Sequence, residues 1–566
     1  MKRLIGNKTI LYQIIRKHSQ LSYVHNIGTE PLRPLTVGRL LERTATEHGT
    51  SSAVISCHQN VTLTFRELLD RADRLAGGLR RLGLRPGDKI ALWAPNMAEW
   101  YLTFMACARG GFVMVPVNPF YLQKELEYSL KKADVSALIY REESLRRQNF
   151  VEIVRKIWPE TAGNCRSVPT LRKLIVIGDG KTCASSHTFN EVLDSATSKC
   201  TSTIKKEQDL IRADDPCCIQ FTSGTTGFSK APIVSHFSIV NNGYFIGKRN
   251  RLNQKHHTLC IQNPLFHAYG SVIGLIGALN HGTTVVLPTD AYDPQKNLNA
   301  IKQHACTVVY GTPTMYVDLV NLQKQKREKL QLEIAVSGGA ICTPNLFESM
   351  KEVLQVREVK SIYGLTESSG STFQSLDGDD KYQCTRTVGY LQEHLEAKIV
   401  DGANRIVPRG TVGELCVRGY SLFLSYYGDE AKTKEVKEDN GWFHTGDLAL
   451  LNQDGYAEIV SRLKDMIIRG GENIYPREIE DLLDTHPDVI EAQVVGLPHE
   501  RLGEEVCACL RTKDNKQLTV EDVKEFCAGT IASFKVPTVV KIMAAFPQTQ
   551  SGKVQKMNLV KMLTNK

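Results

Sequence analysis

Residues 221–230 have the sequence Phe221-Thr222-Ser223-Gly224-Thr225-Thr226-Gly227-Phe228-Ser229-Lys230, the most informative stretch of the chain. Its glycines let the backbone adopt unusual angles and approach an anion closely. Its hydroxyl groups are hydrogen-bond donors, and Lys230 adds a positive charge that suits a polyphosphate. The stretch therefore predicts a loop that holds the phosphates of ATP, and the alternative open at this point is a flexible polar turn.

The spacing of this loop differs from the phosphate loop of kinases and GTPases, which reads G-x-x-x-x-G-K-[ST]. Gly224 and Gly227 are too close together for that pattern. In addition, Lys230 is followed by Ala231 rather than by serine or threonine. A kinase-type nucleotide site is therefore not favoured.

Four further motifs follow the loop. They are SIYGLTE at 361–367, GWFHTGD at 441–447, SRLKD at 461–465 and QSGKV at 550–554. In this order and spacing they resemble the core motifs of the adenylate-forming superfamily, which contains acyl-CoA synthetases, luciferases and the adenylation domains of peptide synthetases. The resemblance covers residues 35–560, and within the superfamily the chain is most similar to the medium-chain acyl-CoA synthetases.

The length and periodicity of the chain predict an α/β protein of more than one domain. A chain of 566 residues is long for one hydrophobic core, and 42% apolar with 23% charged residues is a globular composition. Apolar strands such as 89–93, 174–178 and 283–288 alternate with amphipathic helices, which indicates α/β layers. The polar stretch 183–209 is weakly patterned and is expected to be an exposed connection.

The sequence pattern changes beyond Arg462. Pro476 suits the first turn of a helix, a strand is predicted at 492–496, and residues 519–522 resemble a capped helix start. Together with the boundary that the resemblance implies at Lys464, this α+β pattern predicts two domains. They are a large, multi-layered N-terminal α/β domain from 35 to 463 and a small, mobile α+β C-terminal lid domain from 464 to 566.

Charge, cysteine spacing and hydropathy argue against several classes of protein. The net charge of +9 comes from 70 basic and 61 acidic residues without a long basic run, which disfavours nucleic-acid binding but suits small anions such as ATP and CoA. The fifteen cysteines lack the spacing of a zinc or redox motif and are expected to be reduced and mostly packed. No apolar run reaches the roughly 18 residues of a membrane span. The oligomeric state does not follow from the sequence.

The first 29 residues contain no acidic side chain, and basic residues alternate there with leucine and isoleucine at nearly helical spacing. This pattern predicts a mitochondrial transit peptide at residues 1–30 and a location in the mitochondrial matrix. The alternative is a basic extension without a targeting role.

The resemblance implies roles for the residues that match its motifs. Residues Thr222 to Lys230 are expected to hold the ATP phosphates, Tyr363 to stack on adenine, and Thr366 to approach the α-phosphate. Glu367 is expected to bind Mg²⁺, a hard cation that prefers oxygen ligands. Each of these residues alone also fits an ordinary turn or a solvated carboxylate.

Two further pairs of roles come from the second half of the chain. Asp447 is expected to accept hydrogen bonds from the ribose hydroxyls, with Arg462 on ribose or phosphate, and the alternative is an Asp–Arg surface pair. Lys553 is expected to bridge the substrate carboxylate and the α-phosphate, although a lone lysine is by default a solvated charge. Lys464 is the expected hinge.

The substrate residues are implied in the same way. His267 is expected to position the incoming carboxylate, the alternative being a packed histidine. Gly338, Gly339 and Ala340 are expected to line the acyl pocket, the alternative being a tight turn at a strand end. Gly470 and Gly471 are expected to lie beside the pantetheine arm of CoA.

Three positions depart from the superfamily pattern. Ser229 stands where proline is usual, and Ala231 and Ser461 stand where glycine is usual. None of these changes removes a charged catalytic group, but they alter the freedom of the loop and bear on ATP affinity.

The leading interpretation is an enzyme that ligates a medium-chain fatty acid to CoA through an acyl-adenylate, with ATP and Mg²⁺. One alternative is a ligase for an aromatic or short-chain acid, or one that passes its acyl group to a carrier protein. Another is a nucleotide-binding pseudoenzyme without activity, which loss of Lys553, Glu367 or Asp447 would favour. All three residues are present.

Overall fold

The structure is a computed structural model of the chain. It describes residues 21–146, 148–159, 165, 167–180, 186–222, 229–340, 342–470, 472–549 and 554–564. The chain divides into two compact units. The first unit comprises Asn26–Leu395 and Arg418–Phe443, and the second comprises Met1–His25, Glu396–Val417 and His444–Lys566.

The strands are β1 (Tyr23–Asn26), β2 (Ser52–Ser56), β3 (Val61–Thr64), β4 (Lys89–Trp93), β5 (Val113–Pro116), β6 (Val135–Arg141), β7 (Lys173–Ile177), β8 (Ser186–Thr188), β9 (Pro216–Ile219), β10 (Ile233–Ser235), β11 (Thr258–Ile261), β12 (Thr284–Leu287), β13 (Val308–Gly311), β14 (Ile334–Gly338), β15 (Glu358–Tyr363), β16 (Phe373–Gln374), β17 (Tyr390–Leu391), β18 (Leu395–Val400), β19 (Gly413–Gly419), β20 (Phe443–Leu451), β21 (Ala457–Arg462), β22 (Ile467–Arg469), β23 (Glu472–Ile474), β24 (Val489–His499), β25 (Gly503–Thr512) and β26 (Val539–Ile542).

The α-helices span Val37–Glu47, Phe65–Arg81, Ala98–Gly110, Gln123–Lys132, Phe150–Ile157, Phe189–Asp194, Ser198–Lys206, His236–Arg249, Gly277–Asn280, Pro294–Gln303, Pro313–Lys326, Pro344–Glu352, Lys381–Arg386, Glu430–Val436, Pro476–Leu483, Val520–Cys527 and Lys556–Thr564. A π-helix spans Tyr269–Ile276. Short 3₁₀ turns include Thr366–Ser368 and Leu463–Asp465.

Two large sheets form the first unit. One has seven strands in the order β10-β9-β5-β4-β6-β7-β8, and the other has nine in the order β17-β16-β15-β14-β13-β11-β12-β2-β3. Strands β13, β14 and β15 are parallel neighbours, so their carboxyl ends lie at one edge of the nine-stranded sheet. Crevices at that edge are where α/β sheets usually bind ligands.

The second unit contains the five-stranded sheet β1-β18-β19-β20-β21 and a C-terminal sheet in which β23, β22, β25 and β24 follow one another and β26 pairs with β25. Apolar residues of β24 and β25 pack on the helices Pro476–Leu483 and Val520–Cys527. Mixed α/β architecture with a C-terminal domain confirms the predicted fold class.

Several predicted elements occur where the sequence placed them. Strand β4 has the predicted bounds, and the helix Val520–Cys527 begins with a capping box between Thr519 and Asp522. The expectation of an exposed connection at 183–209 is wrong. Its described part contains β8 and two helices. These helices bury the apolar side chains of Val192 and Ile204. They also pack closely, because a Cβ on Gly78 would collide with the Val192 carbonyl.

The cysteines of the described segments are free thiols, and most of them are buried, as predicted. Among the helices that the structure describes, none is long and apolar enough to cross a membrane.

Candidate active site

The predicted phosphate loop connects β9 and β10, which pair as an antiparallel hairpin. The Thr222 amide donates a hydrogen bond to the Lys230 carbonyl at 3.0 Å, so the two ends of the loop meet. The Ser229 carbonyl accepts a hydrogen bond from the Tyr128 hydroxyl at 3.0 Å. Ser223, Gly224, Thr225, Thr226, Gly227 and Phe228 lie outside the described residues.

The predicted adenine and phosphate residues follow the carboxyl end of β15. Tyr363 is the last residue of that strand, and Thr366 and Glu367 lie in the 3₁₀ turn after it. The chain then folds back tightly, because a Cβ on Gly364 would lie 2.4 Å from the Gly370 carbonyl oxygen. The glycine between Tyr363 and Thr366 is therefore required by the close approach of the backbone.

A tyrosine that the sequence did not single out links Glu367 to Lys230. The Tyr426 hydroxyl donates a hydrogen bond to Glu367 Oε1 at 2.8 Å. Lys230 Nζ lies 3.5 Å from the same hydroxyl and 5.0 Å from the centre of the Tyr426 ring. The 3.5 Å separation between Lys230 Nζ and the Tyr426 hydroxyl is at the limit of a hydrogen bond. Lys230 therefore acts on Tyr426 mainly through its charge.

The Tyr426 hydroxyl is a permanent donor at this position. Burial and the neighbouring Glu367 carboxylate raise its pKa well above the usual value. The Phe423 amide also donates to the Glu367 backbone carbonyl at 2.8 Å, which fixes the main chain of the turn. Because Tyr426 is 59 residues from Glu367 along the chain, no local spacing could have indicated the contact.

His267 precedes the π-helix and is half-buried. Its Nδ1 accepts a hydrogen bond from the Tyr269 amide at 3.3 Å. In the neutral imidazole the proton is therefore assigned to Nε2, which makes that nitrogen a donor. A protonated Nε2 can donate a hydrogen bond to a carboxylate and so orient it, but it cannot accept a proton as a general base does. The geometry therefore favours positioning over general-base chemistry.

The glycines predicted for the acyl pocket occupy the end of β14. A Cβ on Gly338 would lie 2.6 Å from Ile362 Cγ2 and 3.2 Å from Tyr269 Cε1, so neighbouring side chains already fill that space. Gly339 has a φ of 85°, a left-handed conformation that favours glycine, and with Ala340 it is exposed. Packing against neighbouring side chains thus accounts for Gly338, and backbone conformation accounts for Gly339. Their role in an acyl pocket stays a prediction.

The predicted ribose pair lies within the second unit. Asp447 on β20 and Arg462 on β21 are directly opposite each other, and Arg462 Nε lies 2.7 Å from Asp447 Oδ1. The Asp447 side chain is only 3% exposed, whereas that of Arg462 is 40% exposed. The two residues therefore form an ion pair in which only Asp447 is buried, and their role at the ribose stays a prediction.

The hinge and CoA residues lie further along the same unit. Lys464 is exposed in the turn Leu463–Asp465. Gly470 follows β22 with a φ of 60°, and its amide donates to the Leu502 carbonyl at 2.8 Å. Gly471 and Lys553 lie outside the described residues.

Known proteins resemble the chain over nearly its whole length. Residues 41–427 match the AMP-binding enzyme family, and residues 478–553 match the AMP-binding enzyme C-terminal domain. The mitochondrial medium-chain acyl-CoA ligase ACSF2 of Danio rerio is 39% identical over 95% of this chain and 90% of its own length. YngI of Bacillus subtilis (strain 168) is 36% identical over 93% of this chain and 96% of its own length.

Solved structures share the fold. The anthranilate CoA ligase AuaEII in complex with anthranoyl-AMP has a TM-score of 0.82 at 24% identity, covering 95% of this chain and 99% of that one. ATP-bound MatB from Rhodopseudomonas palustris has a TM-score of 0.79 at 25% identity, covering 94% and 99%. Because the family match covers more than half of the chain and a relative is 39% identical over 95% of it, the chain belongs to the AMP-binding enzyme family.

Proposed function

We propose that this chain joins a medium-chain fatty acid to CoA through an acyl-adenylate, consuming ATP and releasing AMP and pyrophosphate. Membership of the family, with relatives that are acyl-CoA ligases, makes it an acyl-CoA synthetase. The observation that carries the proposal is the cluster of Lys230, Tyr426 and Glu367 at the base of the closed loop. It supports the proposal because a lysine, proposed to bind the phosphates, and a carboxylate, proposed to bind the metal, both contact the Tyr426 hydroxyl.

The first half-reaction converts a poor electrophile into a reactive one. The fatty-acid carboxylate attacks the α-phosphate of ATP, and pyrophosphate leaves. In our proposal Lys230 and the loop hold the phosphates, while Thr366 approaches the α-phosphate. Tyr363 stacks on adenine, and Asp447 accepts hydrogen bonds from the ribose with Arg462 beside it.

The donor set at Glu367 fits Mg²⁺. The carboxylate supplies oxygen, the ligand type that this cation prefers together with phosphate oxygens and water. Tyr426 donates to Oε1 and so fixes the orientation of the group while Oε2 keeps its acceptor capacity. When bound, Mg²⁺ would neutralise phosphate charge, and the residues of this chain would hold it through Glu367.

The fatty-acid carboxylate needs orientation rather than deprotonation, since it is ionised at neutral pH. His267 suits this task because its Nδ1 accepts a backbone hydrogen bond, so that in the neutral ring the proton is on Nε2. We propose that His267 aligns the carboxylate for attack, with Gly338, Gly339 and Ala340 near the start of the acyl chain.

The second half-reaction transfers the acyl group from AMP to the CoA thiol. We propose that residues 464–566 act as a lid that turns about Lys464 between the two steps, as lids do in enzymes with successive active conformations. In one position Lys553 would stabilise charge on the α-phosphate. In the other, Gly470 and Gly471 would leave room for the pantetheine arm.

Medium-chain specificity is supported by the ACSF2 relatives, which are medium-chain acyl-CoA ligases. The anthranilate ligase supports the fold alone, since its identity to this chain is 24%. A pocket distinguishes acids that differ by one methylene by only about 1–3 kcal/mol, so the choice of chain length has to be measured.

We also propose a location in the mitochondrial matrix, supported by the mitochondrial ACSF2 relatives. The Bacillus relative shows that close similarity also occurs outside mitochondria. Within the predicted transit segment, residues 23–26 form β1, and the Ser22 amide donates to the Val407 carbonyl at 2.8 Å. A processed enzyme that keeps this strand would therefore begin before Ser22.

The test is CoA-dependent AMP formation by the full chain with Mg-ATP and acids from acetate to palmitate, together with benzoate and coumarate. We expect a maximum near octanoate. A maximum with benzoate or coumarate would replace the substrate assignment, and ATP binding without AMP formation from any acid would favour the pseudoenzyme.

A further inference from the structure

Three side chains that are typical metal ligands meet on two neighbouring strands of the second unit. Glu414 and Cys416 are two residues apart on β19, so they point to the same face, and His444 lies on β20. One ligand atom from each lies within 4.8 Å of the others. His444 Nδ1 is 2.9 Å from Glu414 Oε2 and 3.4 Å from Cys416 Sγ.

These distances are close to those of a tetrahedral zinc site. With usual bond lengths to nitrogen, oxygen and sulfur, ligand atoms around tetrahedral Zn²⁺ are about 3.4–3.6 Å apart. The sulfur–nitrogen separation already agrees, and the oxygen–nitrogen separation has to open by about half an ångström. Both separations are therefore within about half an ångström of those around one tetrahedral ion.

The donor set selects the metal. Thiolate, imidazole and carboxylate are ligands of Zn²⁺, whereas Mg²⁺ and Ca²⁺ prefer oxygen alone. The Glu414 and His444 side chains are each 22% exposed, which leaves the site open to an ion from solvent, while Cys416 is buried beneath them. Three protein ligands leave the fourth position of the tetrahedron for water.

We propose that Glu414, Cys416 and His444 form a binding site for Zn²⁺ that regulates the enzyme. The simpler interpretation is an ion pair between Glu414 and His444 beside an ordinary buried thiol. That interpretation accounts for the 2.9 Å contact but assigns no function to the Cys416 sulfur, which lies 3.4 Å from the same His444 nitrogen.

The site is connected to the nucleotide residues by the backbone. Glu414 Oε1 accepts a hydrogen bond from the Gly446 amide at 3.1 Å, next to Asp447. Zinc would move the Glu414 carboxylate away from His444 by about half an ångström and withdraw charge from its oxygens. Both effects weaken the bond to the Gly446 amide, which positions the main chain before Asp447. Resting on the proposed function, the inference is that zinc raises the KM for ATP.

Binding is tested on the full chain, reduced and freed of metal, by titration with Co²⁺ and by competition for Zn²⁺ with a chromophoric chelator. We expect a sulfur-to-cobalt charge-transfer band. In Cys416→Ser we expect zinc affinity to fall about tenfold or more, since mutation of residues that only support metal ligands already lowers metal affinity by that amount. The matched control is Cys57→Ser. Cys57 Sγ also lies 3.4 Å from a histidine nitrogen, that of His304, but belongs to no three-ligand group among the described residues.

Because Cys416 is buried, Glu414→Gln provides a second variant in which the thiol is intact, and both variants are checked by thermal unfolding without metal. Equal zinc affinity in wild type and in either folded variant would overturn the site. Binding is read without substrate, so failure of the proposed function leaves this result intact. Zinc binding without any change in the KM for ATP would overturn the regulatory part alone.

Discussion

Replacing Tyr426 with phenylalanine removes one hydroxyl and keeps the ring. In the structure this hydroxyl donates to the Glu367 carboxylate at 2.8 Å, whereas its 3.5 Å contact with Lys230 is too long to contribute much. A hydrogen bond to a charged group is worth about 1.5–3 kcal/mol. If Glu367 holds the metal of the adenylation step, kcat/KM for that step should fall about 10- to 150-fold.

The assay separates adenylation from thioester formation. Fatty-acid-dependent pyrophosphate exchange reports the first step, and release of AMP from supplied acyl-adenylate and CoA reports the second. We expect Tyr426→Phe to slow exchange and to raise the Mg²⁺ concentration needed for half-maximal exchange. The second step should change much less, because pyrophosphate has left before it begins.

Tyr427→Phe is the matched control. Tyr427 is the next residue, and its hydroxyl also donates to a carboxylate, Asp134 Oδ2, at 2.9 Å, but that carboxylate has no proposed role. Pyrophosphate exchange that is unchanged in Tyr426→Phe, or reduced equally in both variants, would refute the assignment of Tyr426 as the residue that orients Glu367.

Three further predictions follow from other positions. Lys553→Ala should reduce adenylation by about 10²–10³ or more and largely spare thioester formation from supplied acyl-adenylate, and equal loss in both steps would refute the division of roles. Gly338→Ala should lower the free energy of unfolding by about 1–3 kcal/mol through overpacking, because its Cβ would meet Ile362 at 2.6 Å. A midpoint of urea denaturation equal to that of wild type would argue against this. Burial lowers the pKa of His236 and of His281 to about 4. The unfolded chain therefore binds protons first, and the free energy of unfolding should fall as pH drops from 6.5 toward 4; a flat profile in urea titrations would contradict it.

The sequence predicted the site to the extent that chemistry and spacing are local. The phosphate loop could be proposed because its glycines, hydroxyls and lysine lie within ten consecutive residues, and its role stays a prediction. The cap at Thr519 was predictable for the same reason, since a capping box is complete within four residues. Such features depend on the chain within one turn or loop and not on its tertiary fold.

Contacts between distant strands and loops could not be predicted in this way. Tyr426 reaches Glu367 across 59 residues, and the sequence around it contains no other sign of the contact. Likewise, the group of Glu414, Cys416 and His444 forms only when β19 pairs with β20, so cysteine spacing along the chain gave no indication of it. The polar stretch 183–209 was misjudged because its few apolar residues, such as Val192 and Ile204, are the ones that its helices bury.

The central claim is that this chain activates a fatty acid as an adenylate and transfers it to CoA. The most direct measurement is AMP released per CoA thioester formed by the full chain with Mg-ATP and octanoate, run beside acetate, palmitate and benzoate. We expect equal amounts of AMP and thioester and the highest kcat/KM with octanoate. ATP binding without AMP release from any of these acids would contradict it.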